Sequence, residues 1–174
     1  MWWHRPVRIA LALALALPVA GCFRPLYGPT ASGVPLTEAL GAIEVTPVSA
    51  PQGQERLAHY LRSELIFDLD GSGQTRDKRY RLTLDAAESV QTTTIDTLSG
   101  RSDAAILNAT VKYALLTRDG GTLTAGIARG TATYYRDQQR FASVRAARDA
   151  EIRVARLIAE DLKQRLAAYF ATAR

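Results

Sequence analysis

A single cysteine, Cys22, stands directly behind the apolar run Ile9 to Ala20, and this pairing limits what the rest of the chain can become. Arg5 and Arg8 precede the run, and small residues close it. A positive segment, an apolar segment and small residues, in that order, form a secretory signal. The run is too short for a comfortable membrane span, which needs ~20 apolar residues. The folded part is therefore expected to begin at Cys22 and to fold outside the cytoplasm.

Val19-Ala20-Gly21-Cys22 is similar to a bacterial lipobox, in which the signal is cut before the cysteine and the cysteine is acylated. Cys22 is the expected lipidation site. The chain then divides into a signal peptide over 1–21, a lipidated extended tether over 22–36, and one domain over 37–174. Pro25, Gly28 and Pro29 keep the stretch after the cysteine out of regular structure. In enterobacteria an Asp after the lipobox cysteine retains the protein in the inner membrane. Phe23 stands there instead, which favours the outer membrane.

With its one cysteine taken by lipid, the exported domain has no disulfide and must hold together by packing. About 150 residues suffice for a real core. The formal charge of +5 falls to +3 when Arg5 and Arg8 leave with the signal, so the mature part stays mildly basic. For an exported, anchored domain, anionic lipid or lipopolysaccharide is the natural partner of such charge, and nucleic acid is not. One histidine, His59, remains after processing, which works against metal sites and histidine-based triads. No cofactor, metal or catalytic constellation is expected, and the protein is not read as an enzyme.

Periodicity supplies the elements. Ile43 to Val48 alternates and reads as a first strand, with Pro47 at its end. Gln52 to Phe67 carries Leu57, Leu61 and Leu65 at four-residue spacing, one apolar face of a helix. Asp68 to Gly73 ends it as a Gly-rich turn; Arg79 stands where a calcium loop needs a bidentate Glu. Tyr80, Leu82, Leu84 and Ala86 mark a half-buried strand. Gln91 to Ala104 either extends the strands or forms a loop. Leu107 to Leu115 gives the clearest alternation, and Arg118-Asp119-Gly120-Gly121 is a hairpin turn. The fourth strand changes phase between Ile127 and Ala128, which predicts a bulge near Gly126. Val144 to Ala171 is a long helix with a stripe of Ile152, Ala155, Ala159, Leu162, Leu166 and Tyr169. Asp149, Glu151, Glu160 and Asp161 lie among its arginines and read as a solvated, ion-paired face.

The order strand, helix, three strands, helix predicts an α/β (α+β) two-layer sandwich: one four-stranded mixed sheet with both helices on one face. The other face, with Thr83, Asn108, Thr110 and Lys112, should be polar and open. Arg101, before the third strand, and Arg145 and Arg148, near the start of the final helix, should meet at one sheet end. Together they form a basic patch suited to phosphate groups.

Taken together, Gly21-Cys22-Phe23-Arg24-Pro25-Leu26-Tyr27-Gly28, the hairpin Ala109 to Tyr135 and the tail Ala147 to Phe170 resemble the LptE family of lipopolysaccharide-assembly lipoproteins, in its alphaproteobacterial form. The tail carries Asp149-Ala150, Arg153 and Arg165-Leu166-Ala167-Ala168-Tyr169-Phe170. Members often have Gly after the lipobox cysteine, where this chain has Phe23. The resemblance implies an outer-membrane lipoprotein that plugs and helps assemble an LptD-like β-barrel and contacts lipopolysaccharide. It implies anchoring in the inner leaflet of the outer membrane. By position, Arg101 and Arg148 are nearest to the family's lipopolysaccharide-binding basic residues. The alternative is a periplasmic lipoprotein accessory of a lipid-transport ABC system, which calls for an apolar cavity the size of an acyl chain.

Overall fold

A computed structural model of the 174-residue chain describes residues 33–71, 77–94, 104–136 and 139–172. The signal, Cys22 and most of the tether lie outside the described residues. The elements, in order, are α1 (Leu36–Gly41), β1 (Ile43–Val45), α2 (Glu55–Asp70), β2 (Tyr80–Thr94), β3 (Ala104–Thr117), β4 (Thr122–Tyr135) and α3 (Arg140–Thr172).

The strands lie in the order β1-β2-β3-β4. β1 runs parallel to β2, and the other pairs are antiparallel. All three helices contribute buried residues to one apolar cluster on a single face of this sheet. This is the predicted mixed four-stranded sandwich, with one helix added. Its physical basis is period-two burial. In β3 every odd residue from Ala105 to Leu115 is buried, and these face the helices. The register sets Leu84 beside Tyr113 and Val111 beside Ala128, so β2 and β4 present their even residues to the same side.

Leu57, Leu61 and Leu65 of α2 and Ile158, Leu162 and Leu166 of α3 cover this surface and are almost wholly buried. Ile152 and Tyr169, at the ends of the predicted stripe, are only partly buried. Gly130 is a point of close approach: a Cβ there would come within 2.9 Å of Ile158 and 3.1 Å of Val154. A glycine in the strand lets α3 settle on β4.

Several boundaries differ from expectation. β1 is shorter than Ile43 to Val48; after Val45, Thr46 still donates from its N–H and hydroxyl to the Leu82 carbonyl, and Ser49 forms an isolated bridge with Asp85. α2 starts at Glu55 and runs through Asp68 and Asp70 to Gly71. β2 extends to Thr94, so the first part of the ambiguous 91–104 stretch is strand. α3 begins a turn before Val144. The bulge is not at Gly126. It lies between Leu115 and Leu116, against Thr124 and Thr122, and below it β4 keeps one phase, with Ala125 and Ile127 on the open face. The hairpin turn is as predicted, with Gly120 at φ +88°.

α1 was not expected. Leu36, Ala39 and Leu40 bury its apolar side, and Lys78 donates to the Gly41 carbonyl at its end and to Asp70 on α2. Among the described residues no helix is long and apolar enough to cross a membrane.

Candidate functional site: an open sheet face and a basic end

The sheet face turned away from the helices carries Arg81, Thr83 and Asp85 on β2, Asn108, Thr110 and Lys112 on β3, and Arg129, Thr131 and Thr133 on β4. No described helix or strand packs on it. Apolar side chains are interspersed there, among them Ile106, Leu116, Ile127 and the cross-strand pairs Ala114–Ala125 and Ala104–Tyr135. Asn108, the letter of a glycosylation sequon, accepts a hydrogen bond from Thr131 across the strands at 3.0 Å, so its role is pairing. This surface is mainly polar and as long as the strands. Fourteen residue steps in β2 span ~46 Å.

The two long helices run parallel to each other. Cross-helix pairs rise in step: Arg56 with Glu151, Glu64 with Arg156, Asp68 with Lys163. Both N-termini therefore point to the same end of the sheet, where helix dipoles favour anions. Tyr80 and Phe170, with ring centroids 5.1 Å apart, mark the opposite end, close to α1 and the entry of the chain.

α3 begins well before the level of α2, and its first turns overhang. Phe141 is 85% exposed there and Val144 half exposed. Arg136, Arg140, Arg145 and Arg148 are all exposed around them. Ala104 pairs with Tyr135, so the start of β3 and the end of β4 do meet at this end, as predicted. Arg145 and Arg148 lie on the first turns of α3 at this end of the sheet. Arg148 donates from Nε to the Tyr60 hydroxyl at 2.6 Å. Arg101 lies outside the described residues.

Beneath the overhang sits a charged cluster that the sequence reading misses. Glu151, assigned above to a solvated face, is only 4% exposed. Arg56 grips it with two hydrogen bonds, 3.0 and 2.7 Å. The correction has a tertiary cause: α2 lies over this side of α3. Beside the pair, the side-chain amide of Gln54 both donates to and accepts from the Glu88 backbone, at 3.2 and 2.7 Å. It acts like one more residue of the parallel ladder and ends it.

The Glu88 carboxyl points at this cluster, and its Oε2 is buried without a hydrogen-bond partner. Burial first, and the Glu151 charge second, push its pKa above the ordinary value, while Arg56 pulls it back. A carboxyl raised in the folded state binds protons more readily there than in the unfolded chain. Stability therefore falls as pH rises from the ordinary carboxylate value through the raised one. Glu88→Gln is expected to be more stable than the wild type at pH 7. The gain should vanish below about pH 4, where both forms are neutral. Thermal unfolding at the two pH values checks this; a gain equal at both would refute the charge argument.

Among the described residues no cluster of His, Cys, Asp and Glu has the makings of a metal site. The groove beside α1, ≈ 670 Å³, has a mixed lining of Pro35, Thr37, Glu38, Ala42, Asp77 and Arg79. A smaller hollow of ≈ 190 Å³ includes Ile43, Val45, Ile66 and Leu69. That is below the ~300–1,000 Å³ of ligand clefts.

The sequence profile of the LptE family, described as lipopolysaccharide-assembly, matches residues 40–166. Comparison with curated proteins gave no match. Among solved structures, the chain is similar to a candidate lipoprotein from Caulobacter crescentus CB15. The TM-score is 0.62 at 23% identity, over 79% of this chain and 96% of that one. It is also similar to an uncharacterized lipoprotein B from Nitrosomonas europaea, with a TM-score of 0.54 at 15% identity, over 75% and 88%. At these identities the two structures speak for the fold.

Proposed function

Because this chain belongs to the LptE lipopolysaccharide-assembly family, we propose that it is an outer-membrane lipoprotein, acylated at Cys22, that plugs and helps assemble an LptD-like β-barrel and takes part in delivering lipopolysaccharide. The observation that carries the reading is the sheet face left open and polar across the three long strands. A soluble domain that buries one face and keeps the other polar suits a wet barrel lumen, whose wall is itself polar. The lipid at Cys22 holds the protein at the inner leaflet, since more than one acyl chain makes anchoring stable. The chain enters the domain at the Tyr80 end, so Arg148, on the same helix as the Phe170 that packs on Tyr80, is carried roughly 33 Å away from the anchored side at 1.5 Å of rise per residue. Arg101, Arg145 and Arg148 act on the phosphates of lipopolysaccharide, which arginine binds in a bidentate way. An accessory of a lipid-transport ABC system would need an apolar cavity, and the two grooves beside β1 and α1 do not favour it.

The test is affinity purification of the full chain from detergent-solubilised outer membrane. A large β-barrel should co-purify, and Cys22→Ser should abolish both acyl labelling and outer-membrane fractionation. Recovery without any barrel overturns the plug reading. Lipopolysaccharide binding by Arg101→Glu/Arg148→Glu, compared with wild type across a salt series, tests the basic end separately. Binding that is equal in both proteins, or indifferent to salt, removes the patch, because charge contacts are screened over ~8 Å at physiological ionic strength.

A further inference from the structure

β4 is the long edge of the sheet, and a long open edge strand is a template for another strand. The opposite edge, β1, has only three residues. Two arginines of α3 reach down to β4. Arg153 donates to the Thr133 carbonyl at 3.0 Å and Arg165 to the Ile127 carbonyl at 3.1 Å. Both carbonyls point off the edge, and by strand alternation those of Arg129 and Thr131 between them share that direction.

Each arginine is itself held in place. Asp149, one turn before Arg153, accepts from its Nε at 2.8 Å, and Asp161 accepts from the Nε of Arg165 at 2.9 Å. Tyr113 is a further partner of Arg165. Its hydroxyl lies over Gly126, where a Cβ would come within 2.9 Å of it. Gly126 thus marks the room that the tyrosine needs to reach the edge. The two pairs also match the strand beneath them. Arg153 and Arg165 are separated by ~18 Å of helix rise, and Thr133 and Ile127 by ~20 Å of strand.

The rest of the edge is blunted in other ways. Before Ile127, the extra residue Leu123 breaks the ladder at the bulge. Between the two capped carbonyls stands Arg129, an exposed charge of the kind that protects edges. A folded second copy is excluded by α3 itself, which lies over β4 and comes closest at Gly130. Two β4 strands at pairing distance would drive the two helices into each other. An extended segment with no helix above it meets no such barrier. We propose that the Asp149–Arg153 and Asp161–Arg165 pairs guard the β4 edge, holding its outward carbonyls so that an extended strand of another chain does not add to the sheet.

The guard works by competition. An incoming strand gains by giving its N–H groups to the outward carbonyls. Two of these already hold charged donors, whose hydrogen bonds are stronger than those of a backbone amide. The aspartates fix the guanidiniums beforehand, so little freedom is lost in keeping them there. The ion pairs are half exposed and add little to the stability of the fold, so they can be removed with the fold kept. The inference does not rest on the barrel reading. Any chain that meets unpaired strands needs such a guard, and a barrel before closure is one source of them.

The test uses the full chain in detergent and a fluorescent synthetic peptide with the sequence of residues 104–117, the strand that β4 pairs with on its inner side. Binding is read by fluorescence anisotropy. Arg153→Ala/Arg165→Ala should bind the peptide about tenfold more tightly than wild type, the scale of one or two net backbone hydrogen bonds. Arg62→Ala/Arg156→Ala loses the same charge away from this edge, since Arg156 pairs with Glu64 on α2, and should bind like wild type. The gain should vanish with a peptide N-methylated at alternate residues, which cannot extend a ladder. Asp149→Asn/Asp161→Asn frees both guanidiniums while raising the net charge. It should also tighten binding, and it carries the test if the arginine variant does not fold. No gain in the folded variants would overturn the proposal. So would an equal gain in Arg62→Ala/Arg156→Ala, or a gain that survives N-methylation.

Discussion

Arg56→Met will cost about 3 kcal/mol of stability, the low end of what breaking a buried ion pair costs. The reason is the asymmetry of the pair. The Arg56 side chain is 60% exposed, and that of Glu151 only 6%. Removing the guanidinium takes away two hydrogen bonds and leaves a carboxylate inside the packed layer between α2 and α3. The neighbouring Glu88 adds a second negative group to the same space, so the loss of the one cation is felt by both. The exposed half of the pair is screened by water, which places the cost at the bottom of the range. Arg56→Met/Glu151→Gln should recover most of the loss, because no buried charge is then left unpaired. Denaturant unfolding of the two variants and the wild type measures this. A double variant no better than the single one would show that the site needs the shape of the pair and not its charge balance.

Leu162→Ala is expected to cost ~2–5 kcal/mol, as removal of a fully buried leucine does when its surroundings cannot collapse. Leu162 is wholly buried in the layer that also holds Leu61, Leu65, Leu82 and Leu115, each at zero exposure. These come from α2, β2 and β3, so a void at Leu162 is bounded by separate rigid elements. Leu157→Ala, five residues away on the same helix and half exposed, should change stability by no more than ~0.5 kcal/mol. Calorimetric unfolding of both variants is the check. Equal, small effects would mean that the stripe on α3 is not the core of the fold.

The regular elements were legible because each repeats a short-range pattern. The strict alternation of Leu107, Ala109, Val111, Tyr113 and Leu115 can only be a strand buried on one side, and the structure buries those residues. The stripe of Ala155, Ala159, Leu162 and Leu166 announced α3 for the same reason. From those elements and their order the sandwich followed, together with an open polar face. α1 was not legible: a six-residue helix is under two turns and shows no period. The sequence places the bulge near Gly126, whereas the extra residue of β4 is Leu123, between Thr124 opposite Leu115 and Thr122 opposite Leu116; a phase change shows that a strand carries an extra residue, and only the register shows where.

The candidate sites divide in the same way. By its sequence alone the chain determined the alternating and striped elements and placed basic residues near the start of the last helix, because each is written in residues close together in the chain. Only the tertiary structure decided that Glu151 is inside, since the residue that encloses and neutralises it, Arg56, is far away in sequence and arrives on another helix. It alone decided that Gln54 ends the ladder at Glu88, and that the aspartate–arginine pairs of α3 stand over the β4 edge. Burial and edge position are properties of how layers stack, and a local pattern of charges reads the same whether water or a second helix lies over it.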